Sequence, residues 1–191
     1  MIVPLPDPLL IRIPIRDTGE PLVDVETSAP LLVARRTVLR SGLVDRLVAA
    51  QSLLPRKVRL LIVAGYRPPA MPCRYLTCAV EQAEQVCTTP PETAPHPTGG
   101  AVDLTLANGD DTVLLPECCV GPIAPAPDET TQLLTSALAA IGLVNHPARW
   151  WHWSYGDRFW AGATQAPHAR YGPTFAEEGP GPDVVGGVSD T

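Results

Sequence analysis

His96-Pro97-Thr98-Gly99-Gly100-Ala101-Val102-Asp103 is the stretch whose reading decides the fold. An imidazole and a carboxylate stand at its ends, and the glycine pair between them permits a tight backbone turn, so residues seven positions apart can face one centre. Asp103 then enters the apolar run Val102-Asp103-Leu104-Thr105-Leu106, which reads as a strand. A carboxylate beside a buried strand is costly to desolvate unless it is paired or bound to a metal. Downstream, Arg149-Trp150-Trp151-His152 adds a second imidazole. Three nitrogen and oxygen ligands with a fourth position open is the pattern of a catalytic zinc, and His96, Asp103 and His152 satisfy it. Two histidines and one carboxylate are also the set of non-haem iron oxygenases, so the spacing leaves divalent iron beside zinc.

Gly65-Tyr66-Arg67-Pro68, the block from His96 to Leu106, and Trp150-Trp151-His152-Trp153-Ser154-Tyr155-Gly156-Asp157 together resemble the signatures of the D-alanyl-D-alanine dipeptidases of the vancomycin-resistance type, within the LAS zinc metallopeptidases. The blocks occur in the family's order and span roughly residues 30 to 162. The resemblance implies a single α+β domain, a small antiparallel sheet with flanking helices around a central metal site. It implies zinc on His96, Asp103 and His152, with Arg67 stabilising the oxyanion of a tetrahedral intermediate. It also implies a dipeptide or other small substrate that carries a carboxylate. By strand alternation Trp150 shares the face of His152 and walls the pocket, with Tyr66 and Ala94 as further pocket candidates. Asp157 either orients a ligand histidine from behind or caps a turn.

Three positions depart from the family pattern. The family glutamate three residues before the last histidine moves the proton from water to the leaving amine, a contribution of about 10²–10⁴-fold. Arg149 stands in its place, and arginine stays protonated at any pH a protein survives. A family serine two residues before the first ligand is Ala94, and the family's Phe-Asp segment has no counterpart in Leu114-Leu115-Pro116-Glu117-Cys118-Cys119-Val120. The expectation is a metallopeptidase-like protein whose D-Ala-D-Ala hydrolysis is altered or weakened. A guanidinium grips carboxylates in bidentate fashion, so Arg149 with Arg67 suits an anionic ligand. The alternative is therefore a recruited, non-hydrolytic metalloenzyme acting on a carboxylate-bearing metabolite in specialised, natural-product biosynthesis. Residues at odd separation on a regular strand face opposite ways, so Arg149 points to solvent unless the strand is irregular there, as the family geometry requires. Glu117 and Glu129 are acids outside any motif that stand as substitute bases, and His146 and His168 read as loop histidines.

Length and composition bound the rest. A chain of 191 residues, 45% hydrophobic, can build one substantial core, read here as a domain over 1–171 followed by a Gly/Pro-rich tail over 172–191. A formal charge of −6 without a basic cluster argues against nucleic acid. No apolar run approaches about 18 residues, so no membrane span is expected. Met1 to Pro8 has no cationic segment leading into an apolar stretch, and five cysteines without a CxxC spacing read as reduced thiols, which together suggest a cytoplasmic protein. The periodicity predicts helices over 39–54 and 75–86, and a strand over 57–64 that delivers Arg67. It also predicts a hairpin of 102–106 with 112–115, a helix from the N-cap Asp128 to Ile141 stopped by Gly142, and a last core strand over 150–153.

Overall fold

In the computed structural model, which describes residues 7–69, 93–110, 112–114, 128–147 and 149–175, chain order begins with α1 (Asp7–Leu10), β1 (Leu22–Asp24), α2 (Val25–Ser28), β2 (Leu32–Val33) and β3 (Val38–Arg40). It continues with α3 (Ser41–Leu53), β4 (Val58–Ala64), a 3-10 turn (His96–Thr98), β5 (Ala101–Asn108) and β6 (Val113–Leu114). The last elements are α4 (Glu129–Ala140), β7 (Val144–His146), β8 (Arg149–Ser154) and α5 (Arg158–Thr164). The main sheet runs β2-β4-β5-β8-β7, with β6 also paired to β5. Only β2 and β4 pair in parallel; the other pairs described in this sheet are antiparallel. A separate antiparallel ribbon joins β1 to β3. This is the mixed α+β architecture expected, with helices flanking the sheet.

Alternation sorts the sheet into two faces. Leu60, Ile62, Val102, Leu104 and Leu106 join Leu43 and Leu47 of α3 and Leu134 and Leu138 of α4 in one buried cluster. Each such leucine or isoleucine, fully buried, contributes about 1.5–3 kcal/mol. The intervening positions, Asp103 and Thr105 on β5, therefore face the other way, and that second face carries the polar site. A smaller cluster of Leu10, Val144 and Phe159 packs α1 and α5 against β7.

Several boundaries follow the sequence signals. The Asp128 carboxylate accepts from the Thr131 N–H at 2.8 Å to start α4, and Gly142 ends its last turn with φ +81°. Leu106 and Ala107 pair with Leu114 and Val113 across the Asn108–Thr112 turn. The helix expected from residue 39 begins instead at Ser41, because Val38, Leu39 and Arg40 are drawn into pairing with Asp24, Val23 and Leu22. Leu39 is fully buried in either setting, so its hydrophobicity could not distinguish strand from helix. The helix expected over 75–86, all five cysteines and Glu117 lie outside the described residues. No helix among the described residues is long and apolar enough to cross a membrane.

One cation ties the periphery to the His96 turn. Arg40, buried, donates to the carbonyls of Thr98 at 2.9 Å and Glu20 at 2.5 Å, and to the Asp17 carboxylate at 3.0 Å. Its guanidinium also lies 5.3 Å from the Tyr171 ring centroid. The chain after Tyr171 continues along the same turn, with the Gly172 N–H on Asp17 and the Thr174 N–H on the Pro97 carbonyl. Replacing Arg40 by methionine removes the donor from the Thr98 carbonyl while Asp17 stays open to solvent, and urea denaturation is expected to show a loss of about 1–3 kcal/mol.

Candidate metal centre

β5 and β8 run antiparallel in a register that sets Asp103 directly opposite His152. Residues opposed in this way share a face with their side chains in reach of each other. His96 comes from the 3-10 turn that precedes β5. Gly99 closes that turn with φ +70°, a left-handed conformation that side chains rarely adopt, and a Cβ on Gly100 would lie 2.5 Å from the Tyr155 carbonyl. The glycine pair is thus required by both conformation and space. All three side chains are buried, and their ligand atoms lie within 4.8 Å of one another.

The donor set fits a divalent ion. His96 Nδ1 lies 2.7 Å from the Gly65 carbonyl, which can only accept, so Nδ1 carries the hydrogen. In the neutral ring Nε2 then presents a lone pair, and it faces Asp103 Oδ1 at 3.3 Å. A protonated ring would donate to that oxygen, whereas the neutral ring leaves two acceptors facing each other, an arrangement that a metal ion between them would relieve. His152 Nδ1 approaches the same oxygen at 2.8 Å, a hydrogen-bond length. Burial would push the Asp103 carboxyl up, but the charge and hydrogen bonds of the two imidazoles outweigh it and hold it well below the usual range. Burial lowers His152 despite its contact with Asp103, which favours the neutral ring that a metal requires. The other Asp103 oxygen accepts from Arg67 at 2.6 Å.

The strand carrying His152 is irregular beside Arg149, as the family resemblance implies. Asn145 pairs with Trp153, yet the next residue, His146, pairs with Arg149 rather than with His152. The shift is 152 − 149 = 3 residues, an odd number, so Arg149 takes the face that His152 occupies. Asn145 supports the irregular stretch, since its side-chain amide donates to the carbonyls of Arg149, Trp150 and His152 at 3.0–3.2 Å. The same shift moves Trp150, which by alternation would stand beside His152, into the main core cluster with Trp153. His146 also enters the site region. Its ring lies 5.9 Å from His152 and stacks on Phe159, and burial, then the charges of His152 and Arg149, lower its pKa to about 4. Its sequence context, Asn145-His146-Pro147, suggested a loop, and the Asn145 that shapes the strand was the available signal.

The remaining candidates fall around this centre or away from it. Tyr66, half-buried, donates to the Thr174 carbonyl at 2.9 Å, and Ala94 lies half-buried two residues before His96. Asp157 is fully buried and caps α5 by accepting from the Trp160 N–H at 2.8 Å; burial raises its pKa, opposed in part by its hydrogen bonds and the charge of His152. It therefore caps a helix, and its charge acts to raise the pKa of His152. Glu129 is exposed in the first turn of α4, on the opposite side of the sheet, and His168 lies partly buried on the segment leading to Tyr171.

No family model matches the chain. The chain is 24% identical over 220 residues to a D-alanyl-D-alanine dipeptidase of Synechocystis sp., a similarity covering 79% of this chain and 88% of that protein. It is a distant relative of a dipeptidase, with a His-Asp-His group able to hold a metal ion. Elemental analysis after dialysis is expected to find about one divalent ion per native chain, and Asp103→Ala or His152→Ala is expected to retain less than a tenth of it, since two ligands form a poor cage.

Proposed function

We propose that the chain is a metal-dependent, dipeptidase-like hydrolase whose D-Ala-D-Ala hydrolysis is weakened because Arg149 occupies the position of the proton-transferring glutamate. The distant likeness to a dipeptidase and the His96, Asp103 and His152 group support the class. The observation that carries the modified chemistry is the β7–β8 register shift, which turns Arg149 toward the metal face. Zinc is the ion this reading assigns, and a divalent ion held there supplies Lewis acidity. Around it the chain's own side chains select the substrate. Replacing glutamate by arginine moves the local formal charge from −1 to +1, and the neighbouring His146 stays neutral near pH 7. A guanidinium so placed binds and orients a carboxylate on the substrate and cannot accept a proton.

The same observation favours a second reading, a non-hydrolytic metalloenzyme acting on a carboxylate-bearing metabolite of natural-product biosynthesis. An anchored carboxylate beside a Lewis acid without a base suits a reaction other than peptide cleavage.

Arg149→Glu separates them. If the scaffold remains a hydrolase lacking its base, kcat/KM for D-Ala-D-Ala rises by about 10²-fold or more over the native, zinc-loaded protein. Equilibrium binding of simple carboxylates is expected to weaken in the same variant. Restored hydrolysis with carboxylate affinity unchanged would sink the anion-binding role of Arg149, and no gain in hydrolysis with weakened carboxylate binding would favour the second reading.

A further inference from the structure

We propose that Arg67 is a positioning residue for the metal ligand Asp103, and that Gly65 to Arg67 forms an outer clamp holding two of the three ligands. This rests on the metal-centre reading and is independent of whether the reaction is hydrolysis. The resemblance assigns Arg67 to the oxyanion of an intermediate, whereas its guanidinium lies 2.6 Å from Asp103 Oδ2, with both side chains largely buried. The two carboxylate oxygens are thereby divided. Oδ1 faces the imidazoles of His152 and His96, at 2.8 and 3.3 Å, and Oδ2 is held by Arg67. A carboxylate so divided would offer one oxygen to an ion while Arg67 holds the other.

The same segment holds His96 from two sides. The Gly65 carbonyl accepts from Nδ1, which leaves Nε2 toward the centre, and the Arg67 N–H points at the His96 carbonyl at 3.5 Å. The segment reaches this position through an irregularity at the end of β4. Ile62 pairs with Leu104 and Ala64 pairs with Asp103, so Val63 is an extra residue beside the site. Such outer partners fix the tautomer and orientation of ligands, and their loss typically weakens metal binding by about 10- to 100-fold.

The test uses the full chain stripped of metal by a chelator and titrated with Zn2+ against a chromophoric competitor, and with Co2+ to read its visible ligand-field spectrum. Arg67→Ala is expected to raise the Zn2+ Kd by about 10- to 100-fold. It is also expected to change the Co2+ spectrum, because Asp103 is then free to bind through both oxygens. Arg67→Lys keeps the charge without the planar fork, and it is expected to recover part of the affinity but not the native spectrum. Far-UV circular dichroism and urea midpoints of the stripped proteins confirm that each variant is folded; if Arg67→Ala is not, Arg67→Lys alone decides through the spectrum. A native Zn2+ affinity and Co2+ spectrum in the folded variants overturn the clamp alone. Absence of stoichiometric binding in the native chain overturns the clamp together with the metal centre.

Discussion

An ionised carboxylate inside a protein has lost its water, and Asp103, with 2% of its surface exposed, must recover that solvation from protein groups or from a metal. The uncompensated penalty would rival the whole net stability of a domain of this size. Arg67, His96 and His152 supply the compensation, and they come from the end of β4, the 3-10 turn and β8. These three pieces are distant in sequence, so satisfying one carboxylate requires the central sheet to be assembled in its register. The buried leucines on the opposite face provide the free energy that holds the strands together around it.

Two irregularities in that sheet adjoin the centre. At β4, one additional residue carries the chain around so that Gly65 and Arg67 meet His96 and Asp103. At β7 and β8, the odd offset brings Arg149 and His152 to one face. In a regular β7–β8 ladder Arg149 would face away from His152, since a strand alternates with a period of two. The backbone groups released from pairing at β8 are satisfied by Asn145, whose one amide serves three carbonyls. The distortion is therefore built in by a specific side chain rather than tolerated as looseness.

The chemistry of the centre follows from which charges these distortions admit. Asp103 has its negative charge matched by Arg67, and under the proposed reading Arg149 adds a cation on the same face. The depressed pKa of His146 is consistent with this field, since a protonated imidazole beside His152 and Arg149 would be repelled as well as poorly solvated. Behind the centre, Arg40 links the carbonyl of Thr98 to the amino-terminal segment, so the turn that presents His96 is held from outside the sheet as well.

The sequence by itself singled out His96, Asp103 and His152, which the structure brings together as three buried side chains. It also determined the core helix and strands near 41–64 and the capped helix after Asp128, whose apolar periods and stop signals are local properties. Strand pairing is not local, and its register decided what remained. Leu39 and Arg40 became strand because Leu22 and Val23 were available to pair, Trp150 turned into the core, and His146 moved from an expected loop to the side of His152. Local sequence left Arg149 either toward solvent on a regular strand or turned inward by an irregular one, with no offset specified. That offset depends on how Asn145 and the carbonyls of β8 satisfy one another once two strands meet, which only the tertiary structure decides.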